Sequence, residues 1–294
     1  MRTQRWSLRR ARLLVGTKFL LVAGLVGFVV IAWLISLVAG LDRAVHLGPV
    51  LAAFMAGIPA LLWLGFFYLL DRHEPEPKQL VVGVFVLGAL VAGPLAAFVQ
   101  QQVAPQPALY GAASSRIAMF VYAVFVTGLA QEMCKYASVR YTVYLSREFN
   151  EPMDGIVYMM ACGTGFAVWQ NYQWLTDRGT TVQISVAAAK FVVTTLAHAS
   201  FAGALGYVMG RAKFSRRSAP VRGLLLLLGL LGAAALNGIF NVVETKVVDG
   251  GDDFSTATWR GVLWAAVYAS AVFALIMVMS QRLLAKSPFR RGPA

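Results

Sequence analysis

One carboxylate and one ammonium stand in the middle of an apolar run: Glu132 and Lys135, in GLAQEMCKYASVRY from Gly128 to Tyr141. At helical spacing Glu132 and Lys135 are three residues apart and Gln131 and Lys135 four, so the three share a face. Such a pair neutralises itself and can hold a bundle together. An ionisable group at membrane depth is costly and points to function. The apolar runs that follow carry further polar residues. GTGFAVWQNYQW puts Phe166 one turn before Gln170, with Asn171 beside it. TTLAHASFAGALGYVMG holds His198 among small residues, and LNGIFN sets Asn237 and Asn241 one turn apart. Taken singly, each has a plain structural explanation: a neutralised pair, a packing imidazole, interhelical amide contacts worth about 1 kcal/mol or less. Their depth argues for more. Glu132, Gln170, His198 and Asn237 each lie about 13 to 15 residues, roughly 20 Å, from a loop, so antiparallel neighbours bring them to one level.

The elements that must position them are membrane spans. Of 294 residues 59% are hydrophobic and 13% charged, against about half and a quarter in soluble domains. The net charge of +13 sits in short basic tracts between apolar runs, a pattern of topology and anionic headgroups rather than of nucleic-acid binding. Eight runs are long enough to cross a bilayer: 15–39, 47–70, 80–100, 117–145, 156–176, 184–210, 223–243 and 261–283. None alternates as a barrel strand does. The expected fold is an all-α, polytopic helical bundle forming one membrane domain over 1–294, in the cell membrane. With the N-terminus cytoplasmic, eighteen of the 26 Lys and Arg fall in inner segments and five in outer ones, which places both termini inside. The basic start MRTQRWSLRRAR precedes an apolar stretch too long for a signal core, and is read as a retained first helix. Cys134 and Cys162 both lie inside spans, which excludes a secreted disulfide framework. The acidic, Gly-rich connection from Glu244 to Gly261 is read as a solvated linker.

YLLDRHEPEPKQL (Tyr68 to Leu80), AQEMCK (Ala130 to Lys135), FNEPMDGIVYMMACGTGFAVWQN (Phe149 to Asn171), the AHAS around His198 and LNGIFN (Leu236 to Asn241) resemble, in order and spacing, the PrsW family of intramembrane proteases. That family is part of the superfamily that includes the CAAX prenyl endopeptidases. The likeness covers about 68–241 and leaves out the helices at 15–39 and 261–283. The family pattern implies E-E-x-x-K, F-x-x-x-E-N, an isolated His and H-x-x-x-N on four successive helices. Here these read Gln131, Glu132 and Lys135; Phe166, Gln170 and Asn171; His198; and Asn237 and Asn241. Three ionisable positions of the pattern are therefore amides: Gln131, Gln170 and Asn237.

By resemblance the chain acts on single-pass membrane proteins near their transmembrane segments. Hydrolysis there needs a water activated by a carboxylate or by a metal. Catalytic zinc usually takes three protein ligands, and only Glu132 and His198 remain as good donors, so a conventional zinc site is not expected. The reduced set is Glu132 as base, His198 as its partner or an acid, Lys135 as charge partner, and Asn171 and Asn241 as oxyanion donors. Because the amides preserve shape and polarity while removing charge, the expected proteolysis is weak or lost, and the alternative is a catalytically silent scaffold that binds transmembrane segments. A solute transporter is disfavoured: no inverted repeat and no Gly- or Pro-interrupted span is visible. Two strings at the ends of spans have simple structural readings. DRHEPEPKQ is expected to be a rigid turn, and Asp154 in FNEPMDGIVY to satisfy free backbone donors at a helix start.

Overall fold

The computed structural model describes residues 2–38, 47–70, 75–103, 116–176, 183–243 and 259–285, without the side chains of 2–12 and 116. Every regular element among them is helical, as the unbroken apolar runs require. In chain order these are α1 Arg2–Val38, α2 Pro49–Tyr68, α3 Lys78–Val103, α4 Ile117–Arg140, α5 Pro152–Thr176, α6 Ile184–Lys213, α7 Ala219–Val243 and α8 Trp259–Leu284. Apolar side chains such as Phe19, Phe54, Leu227 and Trp264 point outward, the face a bilayer covers. The protein is a multi-pass membrane protein.

Seven of these helices are long and apolar enough to cross a membrane, where the sequence suggests eight. The exception is α5, and its position explains why. It packs against α2, α3, α4, α6 and α8, and every residue from Met153 to Ala167 is buried. A helix enclosed by others meets protein rather than lipid, so it can carry Asp154, Thr164 and Asn171 in buried positions. The other central helix is α6, most of whose residues are buried, whereas α1 exposes most of its described side chains.

Small residues bring α5 and α6 into backbone contact. A Cβ on Gly163 would stand 2.5 Å from the carbonyl oxygen of His198, and one on Gly203 2.9 Å from Met160. Gly155 faces the backbone of Gly206 and Gly210, and Gly210 that of Pro152. These pairings run in opposite directions along the two chains, so α5 and α6 are antiparallel along a glycine seam.

Two spans expected to be regular helices contain π-helical turns, at Gly88–Ala92 in α3 and Ala123–Gly128 in α4. Gly88 abuts the backbone of Cys162, and Gly128 that of Ala234, so both sit where helices approach closely. A widened turn re-phases the residues after it. In α4 those residues are Gln131 and Glu132.

The start of α5 is built as the sequence suggests. Asp154 Oδ2 accepts the backbone N–H groups of Asn150 at 2.6 Å and Glu151 at 2.8 Å, reaching back over the first turn. At the end of α6, Lys213 Nζ donates to the carbonyls of Tyr144 at 2.6 Å and Phe149 at 2.7 Å, pinning the α4–α5 connection. Residues 71–74 of DRHEPEPKQ, and 244–258 of the acidic connection, lie outside the described residues.

Candidate functional site

Glu132, Lys135, His198 and Asn237 are each wholly buried, and they meet. Lys135 Nζ donates to Glu132 Oε1 at 2.6 Å and lies 3.2 Å from His198 Nδ1. It also sits 4.4 Å above the ring of Phe166, which lets an aromatic face share in solvating the ammonium. Asn237 Nδ2 donates to Glu132 Oε1 at 2.7 Å and to Gln131 Oε1 at 3.0 Å. Asn241 Nδ2 in turn donates to the backbone oxygen of Asn237 at 2.9 Å and to its Oδ1 at 2.8 Å. Residues of α4, α5, α6 and α7 thus join in one cluster at the level where their depth places them.

Lys135 determines the chemistry of its neighbours. An ammonium has only hydrogens to offer, so His198 Nδ1 must accept and the ring proton sits on Nε2. No hydrogen bond joins carboxylate and imidazole: the ammonium contacts both. Two atoms of the cluster are buried without a hydrogen-bond partner, Glu132 Oε2 and His198 Nε2. One is an acceptor and the other a donor, which is what activating a water and binding a developing oxyanion require.

The remaining sequence candidates divide. Gln131 and Asn241 are joined to the cluster through Asn237. Both amide hydrogens of Asn241 are committed to Asn237, so its place is to orient that residue. Gln170 and Asn171 make no hydrogen bond to the cluster, and Gln170 Oε1 and Asn171 Nδ2 are buried without partners. Their helix reaches the cluster one turn earlier, through Phe166, whose ring centroid lies 5.2 Å from that of His198.

Among the described residues no group of three His, Cys, Asp or Glu is placed to hold a metal. The donor set does not suit a zinc ion: two donors remain where three are usual, and an ammonium stands between them at 2.6 and 3.2 Å. Cys134 and Cys162 are free and buried, and the Sγ of Cys162 lies 3.7 Å from the backbone oxygen of Lys135.

A model of the PrsW family, described as intramembrane metalloprotease, matches residues 76–280. The chain belongs to the PrsW family. The match takes in most of α8, beyond the 68–241 stretch legible from its sequence strings. Among similar proteins, protease PrsW of Geobacillus kaustophilus is 32% identical over 161 residues, 54% of this chain and 66% of that protein. Protease PrsW of Oceanobacillus iheyensis is 31% identical over 194 residues, 66% of this chain and 83% of that protein. Protease PrsW of Bacillus subtilis is 28% identical over 197 residues, covering 67% and 84%. No solved structure matches. This PrsW-family chain therefore shares the overall character of membrane-embedded proteases, while its own cluster holds a single carboxylate.

Sequence reasoning missed several neighbours of the site. Phe201 and Phe240 stand edge-on to His198, with centroids 6.0 and 6.3 Å away. Phe240 lies between the two Asn of LNGIFN, a hint that was available. Thr127, in the π turn, buries Oγ1 without a partner. Farther off, the Tyr158 hydroxyl donates to Glu76 Oε2, tying the EPEP segment to α5. Glu76 is buried, so that segment holds more than a surface turn, and a pair 82 residues apart left no local signal.

Proposed function

We propose that this chain is a metal-independent, glutamate-dependent intramembrane endopeptidase acting on single-pass membrane proteins near their transmembrane segments. Glu132 Oε2 takes a proton from a water molecule, and the water oxygen bonds to the scissile carbonyl carbon. His198 Nε2–H bonds the carbonyl oxygen while it carries charge. The proton on Glu132 then passes to the departing amine as the C–N bond breaks, which returns the carboxylate. Lys135 and Asn237 hold Oε1 and so aim Oε2. The observation that carries this reading is the pairing of one occupied and one unpartnered oxygen on a fully buried carboxylate. The test is cleavage of a panel of single-pass substrates in liposomes beside a Glu132→Ala control. Products formed by the unaltered protein and lost in Glu132→Ala are expected, and products insensitive to that change would sink the assignment.

A second reading rests on the neutral groups Gln131, Gln170 and Asn237 and on the ammonium between carboxylate and imidazole: a scaffold that captures the same transmembrane segments without cutting them. It is distinguished by co-purification of an intact client with the unaltered chain and with Glu132→Ala alike.

A further inference from the structure

Two mirrored stripes face each other across the α5–α6 seam. On α5, Phe166, Gln170 and Trp174 follow at successive turns; on α6, Lys190, Thr194 and His198 do the same. The stripes are in contact at both ends. Lys190 Nζ lies 4.9 Å above the Trp174 ring, and the Phe166 and His198 rings are 5.2 Å apart. Antiparallel packing then sets Gln170 opposite Thr194 between them.

Polar atoms without partners run the length of this seam: Trp174 Nε1, Gln170 Oε1, Thr194 Oγ1 and His198 Nε2. Trp174 Nε1 and His198 Nε2 are donors, Gln170 Oε1 is an acceptor and the Thr194 hydroxyl is both, so water molecules, which donate and accept, would satisfy each. Leaving a polar atom unpaired in an apolar interior is costly, and ordered water with several polar partners is the usual remedy. Thr195, the neighbour of Thr194, instead closes its hydroxyl onto the Phe191 carbonyl at 2.7 Å. Thr194 Oγ1 makes no such bond. Gln170 and Trp174 are half-buried on the α5 stripe, while on the α6 stripe Lys190 is 5% exposed, Thr194 1% and His198 fully buried.

We propose that this seam is a hydrated passage that carries water from the Trp174–Lys190 end of α5 and α6 inward to the Glu132–Lys135–His198 cluster. It begins at the end of the pair where α5 finishes and α6 starts. On the topology expected from the basic residues, that is the outer side. Water is the second reactant of any peptidase, so the passage deepens the peptidase reading and rests on it for its purpose, though its hydration does not depend on turnover. Thr194 lies between Lys190 and His198 in the α6 stripe, and its hydroxyl relays water between the half-buried amide of Gln170 and the imidazole. It acts as a positioning residue for water, not as a catalytic one.

Hydroxyl-radical footprinting of the full-length protein in nanodiscs tests this without any substrate. Phe166 and Phe67 are equally buried, at 2% and 1% exposure, and differ in that only Phe166 borders the seam. Phe166 is expected to oxidise about tenfold faster than Phe67, because radicals form in water held beside it. Thr194→Val, which keeps the shape and deletes the hydroxyl, is expected to bring Phe166 down towards Phe67 while leaving Trp174 unchanged. Equal rates for Phe166 and Phe67 in the unaltered protein would overturn the passage, as would fast oxidation of Phe166 that Thr194→Val leaves intact. Cleavage by a protein whose seam is dry would reject the passage alone. A hydrated seam in a protein that cleaves nothing would reject the peptidase reading alone.

Discussion

Removing one member of the Glu132–Lys135 pair should cost more than removing both. The two side chains are fully buried and 2.6 Å apart, and breaking such a pair from one side typically costs about 3–5 kcal/mol, because a buried charge is left uncompensated. The surroundings set the order of the two single changes. In Lys135→Met the carboxylate keeps one neutral donor, Asn237 Nδ2 at 2.7 Å. In Glu132→Gln the ammonium keeps His198 Nδ1 at 3.2 Å and the Phe166 face at 4.4 Å. A desolvated cation–π contact contributes up to about 2 kcal/mol, so Glu132→Gln falls at the lower end of the range and Lys135→Met at the upper. The double variant Glu132→Gln, Lys135→Met removes both charges and is expected within about 1 kcal/mol of the unaltered protein. Unfolding in detergent, by heat or by SDS titration, measures all three. A cost below about 1 kcal/mol for Lys135→Met is what a solvated pair would show; that result, or a double variant as unstable as the worse single one, would refute the buried-pair argument.

Other expectations follow from single contacts. Gln131→Glu and Asn237→His place ionisable groups beside Glu132, and combined with Gln170→Glu, one turn beyond Phe166, should raise cleavage by about a hundredfold, the scale of a general acid or base, read in the liposome assay. Metal chelators should leave Glu132-dependent cleavage unchanged, since the donor set does not suit a zinc ion. Gly163→Ala inserts a methyl 2.5 Å from the His198 carbonyl and 2.9 Å from Ala202 Cβ; overpacking of roughly 1–3 kcal/mol exceeds the helix-propensity gain, and activity falls as His198 is displaced. Gly223→Ala has no neighbour within 4 Å and should stabilise by about 0.5–1 kcal/mol. Tyr158→Phe deletes the donor to Glu76 and should cost roughly 1–3 kcal/mol, with faster hydrogen exchange at the start of α3.

Much of the bundle was legible because apolar length is a local property. The runs at 184–210 and 223–243 became α6 and α7 with their ends moved by a few residues. Counting residues from the loops was enough to bring Glu132, His198 and Asn237 to one level. The same count failed for Gln170, since depth along a helix says nothing of which neighbour a side chain faces, and Gln170 lies on the stripe opposite Thr194. The π turns were hidden because they answer close contacts at Gly88 and Gly128 with distant backbone, which no local pattern encodes. The run at 156–176 became α5, Pro152–Thr176, and its enclosure appears only when the other helices surround it.

Glu132 and Lys135 were a pair from the sequence onward, since three residues of helix bring them together whatever the rest of the chain does. The presence of helices and their membrane setting are likewise matters of composition and spacing, whereas the amides Gln131, Gln170 and Asn237 stand out only against the pattern of the family that the sequence resembles. Only the tertiary structure decided that Lys135 also reaches His198, 63 residues away, and so stands between the carboxylate and the imidazole. That contact depends on glycines letting α5 and α6 touch and on the re-phased turn of α4. It leaves Glu132 Oε2 and His198 Nε2 as the two unpartnered atoms on which the proposed chemistry rests.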